Sequence, residues 1–387
     1  SAFGMPVSTT ASLIFALLGA SLALAGGSVV HWDKVWIVLA NIIVSIALAG
    51  LAGFLIQRVF RAAIRDRIDD RETILLHGPW ICGLMLTWLG WFMILKGMGS
   101  LPFVQSFRQS FIDPYTPGLV FLTAWGAGTL GVHLILSFTG PVGTRYLFPA
   151  MALLGMVCLA FAFGQNDLAN CASPGLSAFW LWEHQETSVG EASQIPIPWW
   201  VLLGTGCLLV VGMFTENAQR VTRAQVNTGS QFDRVALYAP GWCRALARWM
   251  LRLFPPRKEL APPPRVTPAG KKLHYDALRA AVISSVSAGI IAFASSQGLP
   301  ISTTYVSFAA VLATGMADRV LHRGDADLKV GRAIWVVFSW FAAAVIAIAA
   351  TAAVARMIFH WELIGVAAAL GANLTVRFLA QWFADRQ

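Results

Sequence analysis

Long apolar runs separated by short polar segments dominate this chain. About 20 apolar residues of helix cross the roughly 30 Å hydrocarbon core of a bilayer. Seven runs reach about this length, near residues 34–57, 76–98, 117–138, 147–182, 199–221, 332–357 and 361–383. Helices satisfy their own backbone groups in the absence of water, so the pattern predicts an all-α integral membrane protein.

The fourth run is too long for one simple span. Polar residues interrupt it at 164–170, with the sequence GQNDLAN, and again at 173–175, with the sequence SPG. We interpret the run 147–182 as a broken helix, because both interruptions place polar or helix-breaking residues inside an apolar segment.

Two further apolar stretches, 1–27 and 277–317, share a repeated phrase. It occurs as GMPVSTT at 4–10 and as GLPISTT at 298–304, with five identities. Gly and Pro break helices, so both stretches are predicted to be re-entrant hairpins or unwound helices. Such backbone is tolerated at membrane depth where it is buried in protein or lines a cavity. Duplicated broken segments are typical of secondary transporters.

Composition supports a membrane protein. The 387 residues are 57% hydrophobic and only 12% charged, against about 25% charged in soluble domains. The net charge of +9 comes from basic residues beside apolar runs, which favours contact with membrane lipid over nucleic acid. The five cysteines are widely spaced, the histidines are scattered, and no Walker-type nucleotide loop is present. We therefore expect neither an enzyme nor a cofactor.

Lys and Arg positions predict the orientation of the spans. Basic clusters follow the first span at 58–71 and fill the segment 222–276, so both are predicted to be cytoplasmic. The acidic loop 183–198 is predicted to be outside. Five crossings then separate the two phrases, and an odd number gives them opposite orientations. The second hairpin is expected to enter and leave on the inside, since basic residues also occupy 318–331.

These assignments divide the chain into five segments. Residues 1–57 are the end of a first inverted repeat, 58–146 are connecting spans, and 147–221 begin the second repeat with the broken helix. Residues 222–276 are the cytoplasmic loop, and 277–387 hold the second hairpin and the C-terminal spans. Within the loop, residues 240–254 alternate apolar and basic positions as expected of an amphipathic helix lying on the inner leaflet; these positions are Trp242, Leu246, Trp249 and Leu253 against Arg244, Arg248 and Arg252. A solvated connection without a role is the alternative.

Asp167 is the side chain most suggestive of function. A carboxylate near mid-membrane costs about 2.5–3.5 kcal/mol on insertion scales and marks a functional site by default. Asn170 lies three residues further on, on the same helical face, and Asn166 precedes it. These oxygen ligands suit a small cation such as Na⁺. The alternative is an Asp at the membrane interface, satisfied by neighbouring N–H groups.

The hydroxyl triplets suggest the complementary ligand. A break in a helix frees backbone N–H groups, and the positive end of the following helix attracts an anion. The hydroxyls that can add to such a site are Ser8, Thr9, Thr10, Ser302, Thr303 and Thr304. The alternative is that the triplets are ordinary helix N-caps.

The two motifs together resemble a known family. GQNDLAN at 164–170 is similar to the GANDVAN signature of the inorganic phosphate transporter family, the Na⁺- or H⁺-coupled phosphate permeases, and GLPISTT at 298–304 resembles its GLPVSTTH. The resemblance implies an inverted-repeat symporter without cofactors. In it, Asn166, Asn170 and both triplets bind inorganic phosphate, while Asp167, with Asn166 and Asn170, binds the coupling Na⁺ or H⁺.

Three departures from the family pattern qualify the assignment. Gln165 replaces a small residue, and Ala11 and Tyr305 stand where the family often has His. These differences leave sulfate or a metal–phosphate complex open as substrate, and a channel or a non-transporting scaffold open as a different class. We expect a multi-pass protein of the bacterial inner membrane; whether it forms a homodimer is left open.

The third departure concerns the first repeat. In the second repeat, Gly298 follows Gly164 by 134 residues (298 − 164), whereas only three residues precede Gly4. The inverted-repeat model therefore expects a counterpart Asn-Asp motif upstream of Ser1 or on a separate polypeptide. It also expects that residues 1–387 do not transport phosphate without that part.

Overall fold

A computed structural model describes residues 5–184, 195, 197–232, 237–253, 273–322 and 324–385. In these ranges the chain forms twelve α-helices, and no strand occurs there. The helices are α1 (Thr9–Leu24), α2 (Trp32–Ile64), α3 (Arg71–Leu89), α4 (Pro102–Phe111), α5 (Pro117–Phe163), α6 (Ala169–Glu183), α7 (Trp199–Met213), α8 (Glu216–Thr228), α9 (Gly241–Leu253), α10 (Ala277–Ser296), α11 (Thr303–Ala317) and α12 (Ala326–Asp385).

Two π-helical segments continue α-helices. The first π segment, Gly90–Gly97, follows α3, and the second π segment, Gly164–Leu168, joins α5 to α6. A short 3₁₀ turn, Val320–His322, precedes α12. Single residues with positive φ break the two longest helices, Gly140 in α5 and Glu362 in α12.

The described helices confirm the prediction of an all-α membrane protein. Within the described part of the chain, five helical segments are long and apolar enough to cross a bilayer: Trp32–Ile64, Arg71–Gly97, Pro117–Glu183, Ala277–Ser296 and Ala326–Leu379. At 1.5 Å per residue, the third and fifth of these far exceed a single crossing. The breaks at Gly140 and Glu362 divide them into the separate spans that the sequence indicates.

The chain divides into two units. Unit one comprises Ser1–Ala40, Asp167–Gln225 and Ile334–Gln387, and unit two comprises Asn41–Asn166 and Val226–Ala333.

In unit one, α1 packs directly on α12. Gly19 lies so close to Ile348 and Thr351 that a Cβ atom has no room there. Two hydrogen bonds hold the ends of α1: Trp340 Nε1 donates to the Pro6 carbonyl at 3.1 Å, and Arg356 Nε donates to the Ala23 carbonyl at 3.2 Å. Both fix the helix that follows the first phrase.

In unit two, α10 and α11 form a hairpin enclosed by protein. Residues 281–292 of α10 are all buried, so this helix has no face towards lipid over more than three turns. It packs against α3, α5, the first π segment and α11. The absence of a side chain at Gly289 admits the indole of Trp88, whose Nε1 donates to the Ser285 carbonyl at 3.0 Å.

Two details differ from the sequence-based expectations. The motif at 164–170 is not unwound, because residues 164–168 form a π-helical turn and α6 continues from it. The second interruption, at 173–175, is absent: α6 runs through Pro174 without a break. Membrane helices tolerate Pro where neighbouring groups satisfy the freed carbonyl.

Candidate functional site

The first hydroxyl triplet begins helix α1. Ser8 has extended backbone angles and is the N-cap: its Oγ accepts a hydrogen bond from the Ala11 amide at 3.0 Å. Ser8 and Thr10 are each only 1% exposed. Capping satisfies one amide of the first turn, while an α-helix leaves its first four N–H groups without intrahelical partners. The remaining amides give the start of α1 a positive potential.

The Asn-Asp motif contacts this triplet within unit one. Thr9 Oγ1 donates to Asp167 Oδ1 at 3.4 Å, and Asn170 Nδ2 donates to Thr10 Oγ1 at 2.9 Å. The partners are separated by 158 and 160 residues, so only the tertiary fold brings them together. Asp167 lies in the second π segment, and Asn170 lies in the first turn of α6, three residues later on the same helical face.

The second hydroxyl triplet repeats the capping geometry in unit two. Ser302 is the N-cap of α11, and its Oγ accepts from the Tyr305 amide at 3.1 Å. Ser302 and Thr303 are 0% and 2% exposed. The capping alternative is thus correct as geometry for both serines. Anion binding by the same helix starts is still compatible with this geometry, because each serine cap bonds only one amide of the first turn.

The Gly that opens the repeated phrase has a structural reason in the second copy. Gly298 has φ +66° and follows the last residues of α10. The Gly298 amide donates to the Ser295 carbonyl at 3.0 Å, and the Leu299 amide donates to the Ala294 carbonyl at 3.0 Å. This is the Schellman arrangement, which ends a helix at a left-handed Gly. The turn then delivers Ser302 to the start of α11.

Asn166 contacts the second phrase. Its side chain is 4% exposed, and Nδ2 donates to the Ile301 carbonyl at 3.2 Å, immediately before Ser302. Ser295 Oγ lies 3.5 Å from Asn166 Oδ1 on the other arm of the hairpin. Asn166 therefore belongs to the second phrase in unit two, and Asp167 and Asn170 belong to the first phrase in unit one.

Gln165 connects the two π segments. Its Nε2 donates to the carbonyl of Gly97, the last residue of the first π segment, at 2.9 Å. π-Helical turns are rare and frequently occur at functional sites. The first π segment cannot be predicted from the sequence, since residues 90–97 continue the apolar run of α3 and depart from it only at Lys96 and the two end glycines.

The groups in unit one suit a cation beside an anion. Asp167 supplies a carboxylate, Asn170 a side-chain carbonyl and Thr9 and Thr10 their hydroxyls, which are the hard oxygen ligands of small cations. The first turns of α1 and α11 contain no acidic residue that would compensate the helix dipole internally. Within the described ranges, no three His, Cys, Asp or Glu side chains come together. The donor set is accordingly one carboxylate with neutral oxygens.

A buried charge cluster holds the base of the α10–α11 hairpin. Arg61 of α2 is 0% exposed, and its Nη2 lies 2.5 Å from Asp276 Oδ2 and 3.0 Å from Asp318 Oδ2. Asp276 caps the start of α10, and Asp318 follows the end of α11. Both ends of the hairpin are thus within reach of one side chain, which agrees with a hairpin that enters and leaves on one side.

The environment of Asp276 favours its ionised form. Burial opposes ionisation, but the Arg61 charge and the hydrogen bonds from Arg279 N–H, Gln231 and Arg61 outweigh it and lower the pKa of the Asp276 carboxyl below its usual 3.8. The pair is consequently an ion pair at neutral pH.

Arg279 ties the two arms of the hairpin together. It is fully buried, and its guanidinium donates to the Val311 carbonyl at 2.8 Å, to Thr314 Oγ1 at 3.1 Å and to the Gly229 carbonyl at 2.6 Å. The sequence-based predictions missed this cluster. An Arg beside the start of an apolar run is the sequence signal that could have indicated it.

These features define a class of protein: a multi-pass, all-α integral membrane protein in which polar residues in and next to a π-helical turn contact the segments that begin hydroxyl-rich helices. The family model of the phosphate transporter family matches residues 1–225, more than half of the 387 residues. The chain belongs to this phosphate transporter family. This confirms the resemblance inferred from the two motifs, and a family of transporters agrees with the expectation that the chain is not an enzyme.

Individual relatives are similar over most of the chain. A protein described as "putative phosphate permease" from Thermococcus kodakarensis is 24% identical over 344 residues, covering 88% of this chain and 69% of the relative. A second, described in the same words, from Chlamydia pneumoniae is 26% identical over 357 residues, covering 88% and 71%.

A solved structure shares the fold. It is described as "the sodium-dependent phosphate transporter", is 20% identical, and superimposes with a TM-score of 0.62 over 93% of this chain and 75% of its own.

Proposed function

We propose that this chain carries inorganic phosphate across the membrane by secondary active transport, in symport with Na⁺ or H⁺. The observation that carries the proposal is the pairing of Asp167 with Thr9 and of Asn170 with Thr10 at the N-terminus of α1. This pairing supports the proposal, because carboxylate, amide and hydroxyl oxygens of the kind that bind a cation lie beside helix amides of the kind that bind an anion.

Charge compensation is the physical reason for symport. Phosphate at neutral pH carries more than one negative charge, and removing it from water without a partner is very costly. A cation bound at Asp167 neutralises the carboxylate and attracts the anion, so each ligand lowers the cost of binding the other. The sodium dependence stated for the similar solved structure supports Na⁺ as the first coupling ion to test.

The proposed roles follow the contacts. Phosphate is bound by first-turn amides and hydroxyls of both triplets, Ser8, Thr9, Thr10, Ser302, Thr303 and Thr304, together with Asn166 and Asn170. The coupling ion is bound by Asp167 with oxygens from its Asn neighbours. That both phrases serve one central site stays a prediction of the repeat.

The test is uptake of labelled phosphate by the purified full-length protein in liposomes. An inward Na⁺ gradient, an inward H⁺ gradient and no gradient are compared, with sulfate as competitor. Accumulation above the outside concentration supports coupled transport and excludes a channel, which only equilibrates its substrate. Competition by sulfate would indicate that the site accepts tetrahedral oxyanions other than phosphate.

A charge-removing variant tests the site itself. Asp167→Asn keeps the size of the side chain but removes the charge, so gradient-driven uptake is expected to be lost while the thermal unfolding midpoint stays unchanged. Asp33→Asn is the matched control, since Asp33 is exposed in the first turn of α2. Wild-type uptake by Asp167→Asn, with the same ion dependence, contradicts the proposal.

A further inference from the structure

Helix α9 presents three different surfaces around its axis. At about 100° per residue, Trp242, Leu246 and Trp249 fall on one side. Cys243 and Ala247 fall on a second side, and Arg244, Arg248 and Arg252 on a third. An ordinary surface helix has an apolar side towards the protein and a polar side towards water. In α9 the larger apolar side chains are not the ones that face the protein.

Helix α9 packs against the start of α12, and its small side chains are buried. Cys243 and Ala247 are both fully buried. Gly331 permits the close approach, because a Cβ atom there would lie 3.3 Å from the backbone N of Arg244. Arg244 Nη2 also pairs with Asp327 Oδ2 at 3.0 Å, and Arg248 Nη1 lies 3.7 Å from the same oxygen. The segment before α9 is fixed as well, since Arg332 donates to the Tyr238 carbonyl at 3.2 Å.

These contacts set the depth of α9. Asp327 and Gly331 lie in the first two turns of α12, immediately before the apolar run that begins near residue 332. A helix packed on those turns lies at the level where the membrane-spanning helix leaves the bilayer. This is the level of the headgroups, where Trp is enriched because its ring is apolar and its N–H is polar.

The large apolar side chains are left exposed at this level. Trp242, Leu246 and Trp249 are 49%, 40% and 57% exposed, and Met250 beside them is 38% exposed. The basic side has three arginines against one carboxylate, Asp327, and so carries a net positive charge. A basic side next to an apolar side with Trp is the composition of helices that lie in the interface of an anionic membrane.

We propose that α9 is a lipid-binding surface that inserts Trp242, Leu246 and Trp249 among the acyl chains and pairs its arginines with anionic phospholipid headgroups. The partner is the leaflet at the start of α12. The positive charge of the basic side and the position of α9 beside the start of α12 both favour this partner. The contact ties α9 to the bilayer beside the start of α12.

Two adjacent residues provide a matched test, because Trp249 belongs to the apolar side and Arg248 to the basic side. Cys158, Cys171 and Cys207 are replaced by Ala, and the fully buried Cys82 and Cys243 are kept. Trp249→Cys and Arg248→Cys are labelled with bimane and the full chain is reconstituted in phosphatidylcholine bilayers with or without phosphatidylglycerol. Quenching by a phospholipid with a nitroxide below the headgroup measures insertion.

The label at position 249 is expected to be quenched several-fold more than the label at 248, and more strongly with phosphatidylglycerol than without it. Arg252→Gln, at an exposed position away from the packed side, is expected to reduce the effect of phosphatidylglycerol without changing the unfolding midpoint. Equal quenching at 248 and 249 overturns insertion of the apolar side, as does free reaction of the 249 cysteine with a water-soluble maleimide in the bilayer. Quenching that is the same in both lipids overturns recognition of anionic headgroups. Phosphate uptake is not measured in this experiment, so its outcome is independent of the proposed function.

Discussion

Asp276 and Asp318 stand at opposite ends of the α10–α11 hairpin, yet both carboxylates bind the same Nη2 of Arg61. One guanidinium therefore closes the base of the hairpin whose tip carries the second hydroxyl triplet. Gln57 adds two hydrogen bonds to Asp318, at 3.0 and 2.9 Å, so α2 holds this end of the hairpin from two successive turns.

Loss of Arg61 is expected to destabilise the protein strongly. Arg61→Met leaves two carboxylates buried without their cation, and breaking a buried pair costs roughly 3–5 kcal/mol. The free energy of unfolding of the purified protein is the measurement. Arg108→Gln serves as control, because Arg108 and Asp113 form a pair in which both side chains are about half exposed. Such pairs contribute about 0–1 kcal/mol. Similar decreases in the free energy of unfolding of the two variants would show that the Arg61 cluster does not stabilise the fold more than an exposed pair does.

The ion pair predicts a defined response to acid. The folded pKa of Asp276 is below its ordinary 3.8. Its contribution to stability is therefore complete above about pH 4 and is lost as pH falls through the lowered pKa. Asp276→Asn keeps an N-cap residue but removes the charge. We expect the variant to be less stable than wild type at neutral pH and the difference to shrink below about pH 4. A difference that is constant between neutral and strongly acid pH contradicts the assignment.

Ser302 separates helix capping from anion binding. Ser302→Ala is expected to lose about 1 kcal/mol of stability, since the Tyr305 amide loses its acceptor. Ser302→Asp keeps an acceptor for the Tyr305 amide, but the negative charge repels phosphate and uptake should fall at least tenfold. The control is Thr116→Asp at the N-cap of α5, which places the same charge on an exposed helix end away from both phrases. Normal uptake by Ser302→Asp would mean that this N-terminus is only a cap.

Gly298 is expected to tolerate Asn but not Ala. A residue with Cβ loses roughly 1–2 kcal/mol in the left-handed conformation, and Asn visits it more readily than Ala. Gly298→Ala should lower stability and uptake, while Gly298→Asn should lie between Ala and wild type. Gly118→Ala is the matched control, because Gly118 lies in the first turn of α5 and no atom lies within 4 Å of the place that the new methyl group would take. Equal unfolding midpoints for Gly298→Ala and Gly118→Ala contradict the strain assigned to this turn.

The features that can be predicted from the sequence depend on local patterns. Runs of apolar residues locate the spans, and Gly-Pro followed by hydroxyls locates the starts of α1 and α11, because each of these signals acts within a few residues. The helix at Gly241–Leu253 also lies where the amphipathic pattern indicates one. Trp and Arg spacing does not reveal which side packs on protein, since that depends on α12 and Gly331.

The features that the sequence does not predict depend on distant partners. Arg61 and Asp318 are 257 residues apart, and no local pattern links them. The π turn at 164–168 is held where Gln165 reaches Gly97, a contact that the local sequence GQNDLAN cannot show. At Pro174 the local sequence predicts a break that the structure does not have, because α6 continues through this residue.

The enclosure of α10 has a consequence for how the protein is assembled. A helix with no side towards lipid over residues 281–292 is expected to need other helices to pack against before it is stable in the membrane. Helices α2, α3 and α5 contact the α10–α11 hairpin, and these three precede it in the chain. These three helices are therefore synthesised before the hairpin, so the surfaces on which it packs are available when it emerges from the ribosome.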